Sequence, residues 1–224
     1  MMNIALVMSC IVFLLLAGEI LSKMMHFKIV NSSYRNQLRV WFVITGFFLL
    51  PFTLLGSPKE FWGIALVATV TSLISAVLVL ACLGIVRAGH VVTPYYESAT
   101  AANLFASFGT FLFGFSGIGI FPTVQSDMKE PRKFQNIVAA GFTLVGLIYI
   151  VVSLASYVIL GSLIGEDMLT SLTKLSLYHD NVVYRVFVTI AQVLICGHVM
   201  SAYVLNINPV HQQFEGYIGI PLRK

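Results

Sequence analysis

Six long stretches of the chain are dominated by apolar residues, and short polar segments separate them. The stretches are 4–21, 38–55, 61–86, 101–121, 137–164 and 182–205. Each is close to the roughly 20 residues that an α-helix needs to cross a hydrocarbon core of about 30 Å. None shows the strict alternation of apolar and polar residues that a membrane barrel strand requires, so all six are predicted to be helices.

Composition supports the membrane interpretation. Hydrophobic residues make up 58% of the 224 residues and charged residues 10%, with a mean hydropathy of +0.91, whereas soluble domains carry about 25% charged residues. We therefore expect an all-α, polytopic membrane helix bundle that forms a single transmembrane domain over residues 1–224. Its solvent is the lipid bilayer, and the sequence leaves open whether that bilayer is a plasma, vesicular or lysosomal membrane.

Charge and cysteine placement exclude several classes of site. The net charge is +4, but the basic residues are scattered among short loops instead of forming a stripe or tail, so no nucleic-acid partner is expected. The three cysteines, Cys10, Cys82 and Cys196, all lie inside apolar stretches. Their spacing matches neither a zinc site nor a disulfide framework, so no metal and no cofactor is expected.

The fourth apolar stretch is unusually rich in residues that weaken a helix. It contains Gly109, Gly114, Gly117 and Gly119, and Pro122 follows at its end. Glycine costs about 1 kcal/mol and proline about 3 kcal/mol relative to alanine inside a helix. The pattern therefore predicts that this helix is broken at membrane depth.

A break inside the bilayer frees backbone groups that hydrocarbon cannot satisfy, so these groups must face protein, water or a ligand. Transporters use such half-helix ends to bind substrates and coupling ions. The predicted substrate-binding residues are Gly114, Phe115, Ser116, Gly117, Ile118 and Gly119. The alternative is that the small residues only allow two helices to approach closely.

The segment 113–134 resembles the amino acid/auxin permease family, which includes vesicular and proton-coupled amino-acid transporters. The matching residues are Phe115, Gly117, Gly119, Phe121, Pro122, Met128, Lys129, Pro131 and Phe134. Residues 14–19 and 205–210 are similar to an early and a later helix of that family. The resemblance implies a LeuT-like fold of five plus five inverted-repeat helices, of which this chain would supply the third to eighth. The chain is then expected to be a fragment.

The same resemblance implies secondary active transport of amino acids by alternating access, as symport or antiport, with H⁺ or Na⁺ as the coupling ion. The implied partner is a small-molecule amino-acid substrate, and no catalytic residue or enzymatic reaction is implied. Family members differ at the position of Ile118, where some carry histidine between the two glycines. A proton-coupling role is therefore not assigned to this position.

Two ionisable residues lie inside apolar stretches and are candidates for ion coupling, Glu19 and His198. A charge at the centre of a membrane helix costs about 2.5–3.5 kcal/mol on insertion scales, so such residues are candidates for a functional role. Glu19 precedes Lys23 by four residues, and an ion pair at the interface is its alternative role. An imidazole exchanges its proton near neutral pH, while the alternative for His198 is a hydrogen-bonded core residue. Packing roles are the interpretation for Tyr149, Tyr157 and Tyr203.

Two competing functions remain open at this point. Ser116 in the fourth stretch and His198 in the sixth resemble, in outline, the serine and histidine of a rhomboid intramembrane protease. Such a pair needs a base within about 2.6–3.2 Å of the hydroxyl and donors for the oxyanion. The second stretch contains no histidine or asparagine that could supply these donors. The other competing interpretation is a structural or regulatory helical fragment that does not transport.

Overall fold

The computed structural model describes residues 2–25, 34–53, 61–115, 117–165 and 167–218. Helices account for most of this part of the chain. They are α1 (Met2–Met25), α2 (Tyr34–Thr53), α3 (Phe61–Ala88), α4 (Ala101–Gly114), α5 (Phe121–Asp127), α6 (Phe134–Leu160), α7 (Met168–Thr173), α8 (Leu177–Asp180) and α9 (Val182–Ile218). Short 3-10 turns lie at Gly117–Ile120 and Pro131–Lys133. The all-α prediction is thereby confirmed.

Among the described residues, five helical segments are long and apolar enough to cross a membrane. They are Ile4–Met25, Trp62–Ala88, Ala101–Ile120, Pro131–Leu160 and Val182–Ile218. The chain is therefore an integral, multi-pass membrane protein. Most of the second predicted stretch lies in helix α2, which is not among the five; α2 begins with the polar sequence that contains Arg35, Gln37 and Arg39. Residues 54–55 of that stretch lie outside the described part of the chain.

Two helix ends differ from the sequence prediction. The fifth stretch was expected to run to residue 164, but α6 ends at Leu160 because Gly161 adopts a φ of 58° that an α-helix does not accommodate. The sixth was expected to end at residue 205, but α9 continues through Pro209 to Ile218. Its last turns are polar, so apolarity marks the part that suits a bilayer and not the end of the helix.

The chain divides into two compact units. The first comprises Met1–Ser72, Gly119–Asp127 and Gln192–Lys224. In it, α1 and α2 pack along each other, and the Gly18 position leaves no room for a side chain because an added Cβ would lie 2.5 Å from Phe42 Cδ1. Leu49 and Val204 form a small core.

The second unit comprises Leu73–Ile118 and Met128–Ala191. That residues 1–224 form one transmembrane domain stays a prediction.

The second unit contains the larger core, formed mainly by α3 and α9. Its buried members are Val79, Cys82, Leu83, Val86, Leu160, Leu172, Tyr184, Val188 and Ala191. Two polar groups on this core are satisfied by backbone: the Ser75 hydroxyl donates to Ala191 O at 3.2 Å, and the Tyr184 hydroxyl donates to Leu172 O at 3.1 Å. Helices α3 and α9 are thus joined by close packing and by one hydrogen bond, while the Tyr184 hydroxyl joins α9 to α7.

Helices α4 and α6 contribute far less to that core. No residue of α4 is buried, and only Ser156 and Leu160 of α6 are. The segment 95–97, here called the strap, precedes α4 and contacts the end of α6: Ser162 N–H donates to Tyr95 O at 2.8 Å, and Glu97 N–H donates to Ser162 Oγ at 2.9 Å. The segment that leads into α4 is therefore already hydrogen-bonded to the residues that follow α6.

Candidate functional site

The fourth predicted span is interrupted in the structure. Helix α4 ends at Gly114, and Phe115 leaves helical geometry with φ −106° and ψ 12°. A 3-10 turn covers Gly117–Ile120, and α5 begins at Phe121. Pro122 occupies the second position of α5, where the absent proline N–H would have had no intrahelical partner in any case. The helix breaks where the glycines are crowded, and the proline sits where it is tolerated.

The end of α4 leaves backbone carbonyls that α4 itself cannot satisfy, because the last four C=O groups of any helix lack intrahelical donors. Phe115 N–H donates to Leu112 O at 3.2 Å, which tightens the last turn. Gly114 O accepts a long hydrogen bond of 3.4 Å from the Tyr149 hydroxyl of α6. The aligned peptide dipoles also give this end of α4 a partial negative charge. A cationic group is the ligand that such an end favours.

The predicted binding residues are not equivalent in the structure. Gly117 and Ile118 are exposed, with Ile118 62% exposed, whereas Phe115 and Gly119 are half-buried. Ser116 lies outside the described residues. Gly114 to Ile118 belong to the second unit and Gly119 to the first. Gly114 is exposed too, but Tyr149 lies beside it, so the most open backbone among the described residues of the site is at Gly117.

The four glycines of this span separate into two pairs. An added Cβ at Gly114 would lie 2.9 Å from Tyr149 Cε2, and one at Gly119 would lie 2.8 Å from Leu6 Cδ2. At Gly109 and Gly117 an added Cβ would meet nothing within 4 Å. Close packing therefore explains Gly114 and Gly119, as the small-residue alternative proposes, but it does not explain Gly117.

An aromatic cluster surrounds the first residue of the break. The Phe115 ring stacks on Phe142 with centroids 5.5 Å apart and an interplanar angle of 16°, and it meets the Tyr149 ring edge-on at 5.5 Å. Phe111 adds a tilted contact at 5.0 Å. Phe115 Cζ lies 3.9 Å from the position that a Cβ of Gly146 would occupy. The Phe115 side chain is thus directed toward α6.

Both ionisable candidates have partners within the first unit. Glu19 Oε1 lies 2.8 Å from Lys23 Nζ, one helical turn away, with side chains 35% and 25% exposed. His198 Nδ1 lies 2.9 Å from Ala68 O. Since a carbonyl can only accept, Nδ1 must carry the hydrogen in this contact. The ion pair and the core hydrogen bond considered for these residues are both present, and ion coupling at either residue stays a prediction.

Metal-ligating side chains do not cluster in the described part of the chain, where no group of three or more His, Cys, Asp or Glu residues could hold a metal ion. The three cysteines are free and buried. What the structure offers at the break is backbone and aromatic rings. The described residues of the break therefore suit binding of a small molecule, and the serine considered for a protease, Ser116, lies outside them.

Sequence reasoning did not single out the α6 residues that surround the break. Phe142, Gly146 and Tyr149 follow one another at spacings of four and three, which places them on one face of a helix. The periodicity was visible, but α6 is apolar on all sides, so no face stood out. Tyr149 was interpreted as a packing residue, and the structure shows that it packs on the end of α4 itself.

The fold and the site define a polytopic membrane helix bundle with one interrupted span. The family model described as "Transmembrane amino acid transporter protein" matches residues 1–220. The chain therefore belongs to this family of transmembrane amino acid transporters, which confirms the resemblance to the amino acid permeases. A transporter family does not favour the serine-protease interpretation.

Several curated proteins from Arabidopsis thaliana are similar to parts of the chain. "Amino acid transporter AVT1D" is 26% identical over 117 residues, "Amino acid transporter AVT1E" 27% over 128 residues, and "Amino acid transporter AVT3C" 27% over 107 residues. These matches cover 52%, 57% and 48% of this chain but only 20%, 23% and 22% of the relatives. Thus the chain matches about a fifth of their length. No solved structure matches the chain.

Proposed function

We propose that this chain is part of a secondary transporter that moves amino acids across a membrane by alternating access. Membership of the amino acid transporter family and the names of the similar Arabidopsis proteins support this proposal. The proposed fold is the LeuT-like arrangement of five plus five helices, with the interrupted span as its sixth helix. In this mechanism the interrupted helix rocks against a scaffold that includes α1, α2 and α9, and an H⁺ or Na⁺ gradient drives the cycle.

The observation that carries the proposal is the exposed backbone at Gly117 within an apolar span. Polar backbone at membrane depth is tolerated where it lines a cavity or contacts a ligand. An amino acid is a small zwitterion, and its ammonium group suits the carbonyl end of α4, where the dipole is negative. Because no described neighbour fills the space beside Gly117, a substrate can approach the backbone closely there.

Uptake into proteoliposomes tests this function directly. The probe is a mixture of radiolabelled amino acids, applied with an inward H⁺ gradient, an inward Na⁺ gradient or neither. Both the 224-residue chain and the longest gene product that contains it should be reconstituted. Uptake that depends on one gradient supports the transporter and identifies its coupling ion. Lack of uptake by both proteins under every gradient would contradict the proposal.

Gly117→Leu tests the site within that assay, because the new side chain would occupy the open space without displacing a neighbour. We expect membrane insertion to be retained and uptake to fall at least tenfold. Gly109→Leu is the matched control, since Gly109 has equally open surroundings but lies within α4, five residues before its last residue, Gly114. Undiminished uptake by the Gly117→Leu protein would exclude this backbone as the binding site.

A further inference from the structure

The Phe115 ring sits against a socket on one face of α6. Phe142 stacks on the ring, Tyr149 meets its edge, and the absent side chain of Gly146 leaves space at its tip. All of these residues belong to the second unit. A phenylalanine held on three sides by one helix is oriented by that helix. The Phe115 side chain therefore faces α6, although its residue was predicted to bind substrate.

Tyr149 makes three separate contacts with the last turn of α4. Its hydroxyl donates to Gly114 O, its ring meets Phe115, and its Cε2 occupies the space that a side chain at position 114 would need. The hydrogen bond supplies a donor to a helix-end carbonyl that has no intrahelical partner. In hydrocarbon an unsatisfied carbonyl is costly, so this donor stabilises the place at which the helix stops.

We propose that Tyr149 is a positioning residue for the interrupted span: with Phe142 and Gly146 it fixes Phe115 and the Gly114 carbonyl, and thereby sets where the open backbone at 117–118 is presented. The role of this backbone in substrate binding rests on the proposed function. Tyr149 itself acts through Phe115 and Gly114. The consequence is that substrate affinity depends on a residue of α6, 31 positions beyond Ile118 in sequence.

A double-mutant cycle between positions 114 and 149 tests the contact without any need for transport. Gly114→Ala places a Cβ against the Tyr149 ring, so it should lower the thermal midpoint of the purified chain in detergent by about 2–4 °C or more. In a Tyr149→Leu background the ring is gone, and the same substitution should have little effect. Gly109→Ala, in open space, is the control. Equal losses in both backgrounds would show that Gly114 and Tyr149 are not in contact, which would overturn the inference.

The positioning role is tested by separating KM from the maximal rate of uptake. Tyr149→Phe removes only the hydroxyl, so the protein should remain folded while KM for the transported amino acid rises about three- to tenfold. Tyr157→Phe is the matched control on α6, because Tyr157 packs on Tyr96 at 5.2 Å and not on the break. A residue that serves stability alone would lower the amount of active protein and leave KM unchanged.

The two experiments distinguish failure of this inference from failure of the proposed function. If Tyr149→Phe leaves KM equal to that of Tyr157→Phe while uptake persists, the inference is wrong and the transporter proposal stands. If no variant takes up amino acids yet positions 114 and 149 are strongly coupled, the contact stands and the transporter proposal is wrong. Coupling together with a raised KM supports both.

Discussion

The second unit contains two helix contacts that are built in different ways. Helices α3 and α9 meet along a seam in which residues such as Leu83 and Ala191 are almost completely buried. Helix α4 has no buried residue, and its described contacts with α6 lie at its two ends, one through the strap before it and one at Phe115 after it. The first contact is a closely packed helix interface. The second buries no residue of α4.

The largest expected effect comes from creating a cavity in the α3–α9 seam. Leu83 is 1% exposed, and Leu83→Ala should lower the free energy of unfolding by about 2–5 kcal/mol, since the buried methyl groups leave a void. Leu104→Ala on α4, at a site 66% exposed, should change stability by less than about 0.5 kcal/mol. Thermal unfolding of the chain in detergent measures both. Similar losses for the two variants would mean that α4 is packed as tightly as α3.

The next largest effect should come from the strap. Gly161 has a φ of 58°, and a Cβ there would collide with Tyr95 O, so Gly161→Ala should cost about 1–3 kcal/mol through backbone strain and loss of the strap contact. Gly141→Ala, within α6, is the control, because the added Cβ there meets no described atom within 4 Å. Limited proteolysis between α3 and α4 provides the measurement. Cleavage rates equal to those of the control would contradict a strap that depends on Gly161.

A smaller effect is expected from a single strap hydrogen bond. Ser162→Ala removes the oxygen that accepts from Glu97 N–H at 2.9 Å while leaving the bond from Ser162 N–H to Tyr95 O intact. We expect a loss of about 1 kcal/mol or less, because the contact is exposed and water can replace the acceptor. Hydrogen exchange of the Glu97 amide should accelerate, with that of Leu104, which bonds Thr100 O, as the internal reference. Unchanged exchange at Glu97 would argue against this bond.

The parts of the fold that could be predicted are those that depend on the bilayer and on residues close together in sequence. Apolar stretches of suitable length indicated the spans, and the cost of glycine and proline inside a helix indicated the interruption after Gly114. The end of α6 was also indicated by the local sequence, since helices often end at a glycine such as Gly161. The apolar residues after Gly161 nevertheless led to a predicted end at residue 164. A local energetic cost does not always end a helix, since α2 contains Pro51 and α9 continues through Pro209.

The unpredictable parts are those set by partners distant in sequence. Nothing local to Gly114 distinguishes it from Gly117, yet Tyr149 fills the space beside the first and no described neighbour fills the space beside the second. Likewise His198 gained a specific acceptor, Ala68 O, 130 positions away. In a helix that is apolar on every side, hydrophobic periodicity cannot indicate which face meets another helix. The socket for Phe115 could therefore be recognised only from the arrangement of α4 and α6.

The smallest expected effect concerns the hydrogen bond across the α3–α9 seam. Ser75→Ala removes the donor to Ala191 O at 3.2 Å, and bonds between membrane helices average only about 0.6 kcal/mol in double-mutant cycles. The Ala191 carbonyl keeps its intrahelical donor within α9, so its loss is partly compensated. A change in thermal midpoint near 1–2 °C is expected, far below that of Leu83→Ala. A loss as large as that of Leu83→Ala would mean that hydrogen bonding, and not close packing, holds α3 and α9 together.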